Sequence, residues 1–367
     1  MALDANALAL AGVRGLTPYE PGKPISELER EYGITDIVKL ASNENPLGPG
    51  SKALAAIKIA IGDLGRYPDG NGFALKEKLA NKHGVKTAQI TLGNGSNDIL
   101  EFVARAFVSP SDEVLFSQHS FAVYPLVTQA VGARAVVTPA RNWGHDLDAM
   151  ASAISDNTRL IFIANPNNPT GTWLGADELE KFVAALPDHT ICVVDEAYAE
   201  YVETNDYPDT TSWLAKYSNL LVTRTFSKIH GLAGLRIGYG VSSTAITDIL
   251  NRVRQPFNVN SVALAAAEAA LDDSAHIIES RQLNSDGMKQ LLDGFITMGL
   301  SAIPSAGNFI AVDVGQSGTD IYEKLLRRGV IVRPVANYEM PDFLRITVGT
   351  QAQNKRCLNA LEAALKE

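Results

Sequence analysis

Cysteine is scarce. The 367-residue chain has two, Cys192 and Cys357, which is too few for a disulfide framework and wrongly spaced for a zinc ribbon. Both lie in apolar stretches, which predicts buried free thiols. Long hydrophobic runs are missing too, since none approaches the roughly 18 residues that a membrane-spanning helix needs. The segment Ala7-Leu8-Ala9-Leu10-Ala11 has Asp4 ahead of it and no basic leader, unlike a secretion signal. The expected compartment is the cytoplasm. Positive charge is in deficit: 32 Lys and Arg against 41 Asp and Glu leave a formal charge of -9. Such a chain suits neither a nucleic-acid backbone nor an anionic membrane, so neither is expected as a partner. A local basic pocket could still hold one anionic metabolite.

Several standard motifs are also absent. Gly93-Asn94-Gly95-Ser96 is followed by Asn97-Asp98, so the dinucleotide fingerprint G-x-G-x-x-G fails, and no Gly-Lys-Ser/Thr follows to make a phosphate-binding P-loop. There is no G-x-S-x-G serine elbow. The six histidines never fall three to five residues apart, so a helical metal site is not expected.

What remains is a hydrophobic content of 46% with 20% charged residues, the balance of a globular protein with a large core. The first forty residues read as an N-terminal arm, extended or turn-like around Tyr19-Glu20-Pro21-Gly22-Lys23-Pro24. Short apolar runs then alternate with amphipathic segments. Strands are predicted at 113–116, 133–138, 160–164, 191–194 and 220–223, and helices at 97–107, 121–131 and 177–186. Strand and helix in alternation predict an α/β domain with a mostly parallel sheet flanked by helices. After about residue 255 the texture changes to long helices at 261–272 and 276–298, then strands near 308–312, 330–333 and 344–348, a helix at 319–328 and a closing helix. The predicted division is an arm over 1–40, a large domain over 41–255 and a smaller α+β domain over 256–367.

Four local sequences carry chemistry. Gly95-Ser96-Asn97 stands at a helix start, where backbone N–H groups and the helix dipole favour an anion, although Ser96 is equally an ordinary N-cap. Asn165-Pro166-Asn167-Asn168-Pro169-Thr170-Gly171 follows a strand directly, at the edge where open α/β sheets bind ligands. Asp195, in Val194-Asp195-Glu196-Ala197-Tyr198, ends a buried strand; it could cap the next element, pair with a ligand cation or bind a metal. Arg224-Thr225-Phe226-Ser227-Lys228 then sets a lysine among hydroxyl residues, with Arg236 in the glycine-studded loop beyond.

In this order the four motifs resemble those of the fold-type-I pyridoxal-phosphate aminotransferases, and within them the histidinol-phosphate aminotransferase family. The similarity extends to Pro18–Lys23, Ser42-Asn43-Glu44-Asn45-Pro46, Arg66-Tyr67-Pro68-Asp69-Gly70 and Phe343–Gly349. It implies an aspartate-aminotransferase-like fold and pyridoxal 5'-phosphate as cofactor. Lys228 would form the Schiff base and later move the substrate proton, because only an imine can exchange with a substrate amine. Asp195 would pair with the pyridinium nitrogen, Asn168 and Tyr198 would bond the ring's phenolic oxygen, and Phe121 would stack on the ring. Gly95, Ser96, Asn97, Thr225, Ser227 and Arg236 would hold the phosphate, with Tyr67 reaching it from the second subunit of a homodimer. Arg345 and Arg333 would bind the acidic group of the substrate, and Tyr19 and Asn43 would line the entrance. The implied substrates are histidinol phosphate and glutamate or 2-oxoglutarate. Aromatic amino-acid transamination, phosphothreonine decarboxylation and a non-catalytic cofactor-binding regulator are the alternatives. Glu339 stands where the family frequently has glycine, so the shape of that loop departs from the pattern.

Overall fold

The computed structural model describes residues 3–19 and 21–367; Glu20, part of the Pro18–Lys23 similarity, lies outside the described residues. Among the described residues, thirteen strands form three sheets. β1 (Val38–Lys39) belongs to the arm. β2 (Ile90–Gly93), β3 (Glu113–Ser117), β4 (Arg134–Thr138), β5 (Thr158–Ala164), β6 (Ile191–Asp195), β7 (Leu220–Thr225) and β8 (Gly238–Ser242) build the large sheet. β9 (Ser301–Ala302), β10 (Phe309–Asp313), β11 (Val330–Ile331), β12 (Arg333–Pro334) and β13 (Phe343–Thr347) follow.

The large sheet has the order β2-β8-β7-β6-β5-β3-β4. Only β8 runs against the rest, pairing antiparallel with both β2 and β7, so the expected mostly parallel sheet is present. Its central strands are apolar on both faces because both faces are covered. Along β5, Leu160, Phe162 and Ala164 enter one core while Ile161 and Ile163 enter the other. β6 divides the same way, with Ile191 and Val193 opposite Cys192 and Val194. The helices Ser96–Phe107 and Thr244–Val253 cover the first face; Phe73–His83, Ala176–Ala184 and Ser261–Ala270 cover the second. Each fully buried Phe, Leu or Ile stabilises the fold by about 1.5–3 kcal/mol.

The second sheet, β12-β13-β10-β9, is antiparallel. It packs through Ile310, Val312, Leu344 and Ile346 against the helices Ser274–Thr297, Gly318–Leu326 and Gln351–Leu365. The arm is tied to this part: β1 pairs with β11, and Val38 and Leu40 join the same core. The arm also contains a helix over Ile25–Tyr32 that opens on Pro24 as N-cap, a position where proline's fixed φ and missing N–H cost nothing. Both cysteines are buried and free, and burial pushes each thiol up to about 12. Among the described residues, no helix is long and apolar enough to cross a membrane.

Candidate active site

The carboxyl ends of β5, β6 and β7 open into one cleft, closed on the other side by residues 41–43, which follow the arm, and by β12 and β13. Sixteen residues were singled out from sequence. The cleft is lined by Tyr19, Asn43, Ser96, Asn97, Phe121, Asn168, Asp195, Tyr198, Thr225, Ser227, Lys228, Arg236, Arg333 and Arg345. Gly95 lies directly behind Ser96. Tyr67 is elsewhere: it is 83% exposed and stacks on Phe257 at 4.8 Å.

Asp195 forms the floor. As the last residue of β6 it shares a face with Thr223 of the adjacent β7, its register partner. Thr223 Oγ1 donates to Oδ1 at 2.8 Å, and Tyr124 OH donates to Oδ2 at 3.1 Å. The carboxyl is buried, and burial raises its pKa; the two hydrogen bonds and the charge of Lys228 oppose that rise. Among the described residues no cation lies within ion-pair distance of it. A buried carboxylate of this kind at the base of a cleft fits a protonated heterocyclic nitrogen.

Lys228 stands above that floor. Its Nζ donates to Ser42 O at 3.2 Å and sits 5.5 Å from the centre of the Tyr198 ring. Burial, then the positive charge of Arg345, lowers its pKa to about 7. A lysine so placed has a substantial share of neutral amine near neutral pH, which is the form able to attack a carbonyl.

One end of the cleft suits an oxyanion. Gly95, at φ +87°, is the N-cap of the helix Ser96–Phe107, so Ser96 is its first residue rather than its cap. A Cβ on Gly95 would fall 2.6 Å from Arg236 Nη2, and one on Gly238 would fall 2.4 Å from the Ser96 nitrogen. Glycine at both positions lets the guanidinium and the helix start close around one small volume. Arg236 Nη1 also reaches Ser227 Oγ at 3.4 Å, and Ser227 N donates to Thr225 Oγ1 at 3.1 Å. Helix start, guanidinium and hydroxyls together match a phosphate group.

The remaining wall is cationic. Arg333 and Arg345 are direct register partners on β12 and β13. Arg345 is buried, with Nη1 donating to Asn168 Oδ1 at 2.5 Å and Nη2 to Ala41 O at 2.6 Å, while its Nε has no partner. Arg333 lies over the Tyr19 ring at 5.7 Å. Neither guanidinium has a carboxylate within ion-pair distance among the described residues. Asn43, at φ +56°, is held by Thr347 Oγ1 at its backbone N–H and donates through Nδ2 to Tyr198 OH at 2.8 Å. Burial is the main reason that the Tyr198 phenol is pushed up to about 12. Glu339 is also left-handed, at φ +61°, which explains why glycine suits this position; its carboxylate accepts from Gln118 Nε2.

Sequence reasoning missed Tyr124 and Thr223. A period-2 reading of β7 beside Asp195 could have found Thr223. Nothing local marks Tyr124, whose contact depends on how a helix lies on the sheet.

Residues 35–361 match the aminotransferase class I and II family. The chain is 62% identical to histidinol-phosphate aminotransferase 2 of Pseudomonas fluorescens over 100% of its own length and 99% of that protein. It is 59% identical to histidinol-phosphate aminotransferase 1 of Nitrosococcus oceani, over 98% and 97% of the two chains. Among solved structures, the histidinol-phosphate aminotransferase of Sinorhizobium meliloti, in complex with pyridoxal-5'-phosphate, superposes with a TM-score of 0.90 at 30% identity, covering 97% of each chain. Aspartate aminotransferase of Thermus thermophilus with maleate shares the fold, at a TM-score of 0.82 and 20% identity over 99% and 100% of the two chains. The chain belongs to the aminotransferase class I and II family.

Proposed function

We propose that the protein exchanges the amino group of L-histidinol phosphate with 2-oxoglutarate, giving imidazole-acetol phosphate and L-glutamate, with pyridoxal 5'-phosphate as cofactor. The observation that carries the substrate assignment is the opposed pair Arg333 and Arg345, two guanidiniums without a carboxylate partner at one end of the cleft. Histidinol phosphate brings a phosphate ester and glutamate a second carboxylate, and a planar guanidinium accepts either oxyanion. The names of the full-length relatives support the same reading.

The residues present fit the cofactor at three points: the buried carboxylate of Asp195, the amine of Lys228, and the glycine-lined cradle of Gly95, Ser96 and Arg236. When bound, the cofactor supplies an electron sink for the electron pair left on the substrate carbon after its proton departs. Asp195 keeps a proton on the ring nitrogen, and Thr223 and Tyr124 hold its oxygens in place. Lys228 Nζ takes the proton from the substrate carbon and returns it elsewhere, a task that its lowered pKa suits near pH 7. Tyr198 and Asn168 orient the ring's phenolic edge; Asn43 fixes Tyr198 and Arg345 fixes Asn168. Phe121 covers the ring face, and stacking needs only its aromatic surface. Gly95, Ser96, Asn97, Thr225, Ser227 and Arg236 anchor the phosphate.

Tyr67 belongs to a site shared between two copies. It stacks on the exposed Phe257, and Leu54, Ile59, Ile61, Leu64 and Phe73, close to it in sequence, are exposed too, an apolar content that suits a symmetric partner. In this reading Tyr67 reaches the partner's cofactor phosphate and the protein works as a homodimer. The arm over 1–40, the cofactor-binding part over 41–255 and the C-terminal part over 256–367 are then separate functional units, and the cytoplasm is the working compartment. Mixing purified protein with histidinol phosphate and 2-oxoglutarate should yield imidazole-acetol phosphate and glutamate in equal amounts. Turnover of phenylalanine or tyrosine in preference to histidinol phosphate would overturn the substrate assignment and favour an aromatic aminotransferase.

A further inference from the structure

We propose that Tyr124 is a positioning residue that sets two separate parts of the cofactor site at once, the carboxylate of Asp195 and the stacking ring of Phe121. The inference rests on the assignment of the cleft to pyridoxal phosphate.

Tyr124 lies in the helix Val123–Ala130, outside the cleft and fully buried. Its hydroxyl donates to Asp195 Oδ2 at 3.1 Å. Its backbone N–H donates to Phe121 O at 3.0 Å, and its ring meets the Phe121 ring edge-on, 5.8 Å between centres and 88° between planes. Phe162 of β5 stacks on the same tyrosine ring, 4.6 Å away and 6° from parallel. The ring is therefore clamped between a strand and the loop that carries Phe121, which fixes the direction of its hydroxyl. One side chain thus relates the floor of the cleft to the wall that covers it.

The bond also bears on the charge of Asp195. Thr223 and Tyr124 are its two side-chain donors, one to each oxygen. Lys228 faces the carboxylate from the loop after β7, and Tyr198 and Tyr207 face it from the chain after β6. Burial and the Asp195 charge hold the Tyr124 phenol well above its usual range, so it remains a donor at every working pH. A hydrogen bond to an ionised group favours the ionised form. Without it, the carboxyl of the cofactor-free site takes up a proton at higher pH and is a poorer partner for a protonated ring nitrogen.

Tyr124→Phe keeps the ring and removes the donor. In the full-length protein, titration with pyridoxal phosphate across a pH series should show the pH at which affinity falls by half rise by about one unit, with a dissociation constant up to about tenfold higher on the acid side of that midpoint, the effect of one charge-assisted hydrogen bond. Substrate KM should change less than kcat. Thr223→Val should act in the same direction at Oδ1, and Thr223→Ser, which keeps the hydroxyl, should restore wild-type binding. Incorporation of 3-fluorotyrosine at position 124 preserves shape and strengthens the donor, so its pH midpoint should move downward; this variant decides the matter if Tyr124→Phe does not fold. Unchanged affinity and pH midpoint in folded Tyr124→Phe, or an unmoved midpoint in the fluorinated protein, would overturn the positioning role. Failure of the wild-type protein to bind pyridoxal phosphate would instead overturn the assignment of the cleft.

Discussion

Arg224→Met should destabilise the protein by about 3–5 kcal/mol, the usual cost of stranding a buried charge. Glu196 and Arg224 follow Asp195 and precede Thr225, so strand alternation turns them to the face opposite the cleft. Glu196 is fully buried, and its Oε2 lies 2.6 Å from Arg224 Nη2; Glu200 meets the other guanidinium nitrogen at 3.2 Å. At an effective dielectric of about 20, two charges so close attract by about 6 kcal/mol. Desolvation offsets much of that, and the pair itself is worth little net. Removing the arginine is another matter, since Glu196 then keeps only the Thr210 hydroxyl at Oε1. Burial already raises the Glu196 pKa, with Arg224 opposing; in the variant it rises further above its unfolded value. Such a group contributes stability at low pH that is lost as pH rises through its folded pKa. Urea unfolding should therefore show a larger deficit at pH 8 than at pH 5. The double variant Glu196→Gln/Arg224→Met should recover at least about 2 kcal/mol of the loss. A deficit under about 1 kcal/mol at pH 8, or one independent of pH, would refute the reasoning.

Lys228→Ala should fold with an unchanged thermal midpoint, lose the visible absorbance of lysine-linked cofactor and lose turnover, which spectra and steady-state assays check together. Reconstitution of the cofactor-free protein should accelerate as pH rises through about 7, where the Lys228 amine becomes neutral; a stopped-flow pH series that is flat there counts against the lowered pKa. Burial lowers His145 and His230 to about 4. The unfolded chain takes up their protons first, so stability present above pH 6.5 should fall away toward pH 4, by up to about 3 kcal/mol for each histidine, measurable by denaturant unfolding across that range. Glu339→Gly should relieve a left-handed non-glycine residue and stabilise the protein by about 1 kcal/mol, net of the exposed Gln118 bond; chemical unfolding of the pair of proteins tests this.

Strands β5 and β6 were legible in the sequence because burial on both faces makes them unbroken apolar runs. β2 and β8 were not. Ile90-Thr91-Leu92-Gly93 is short, and Gly238-Tyr239-Gly240-Val241-Ser242 carries two glycines that argue against a strand. Both are required by close approach: a Cβ on Gly238 would strike Ser96, and one on Gly240 would come within 2.8 Å of Ile99. The helix Ile25–Tyr32 was hidden behind the proline-rich segment that precedes it. At the site, fourteen of the singled-out side chains meet in one cleft because their order along the chain matches the ends of successive strands. Tyr124 and Thr223 were illegible for a different reason. A tyrosine in a helix and a threonine in a strand are common, and only the packing of helix on sheet brings both to Asp195. Tyr67 shows the converse, since a local motif marks it while this chain alone leaves it exposed.

In the proposed reaction one cleft binds a phosphate-bearing amine through two guanidiniums and transfers its amino group. Single-turnover kinetics on the cofactor-loaded protein with histidinol phosphate, phosphate-free histidinol and phenylalanine tests it most directly. Histidinol phosphate should exceed histidinol by at least about a hundredfold in kcat/KM, about 3 kcal/mol, because the analogue without an anionic group leaves Arg333 and Arg345 without a partner. Arg333→Ala should erase most of that preference. Equal rates for histidinol and its phosphate, or a preference for phenylalanine, would contradict the account.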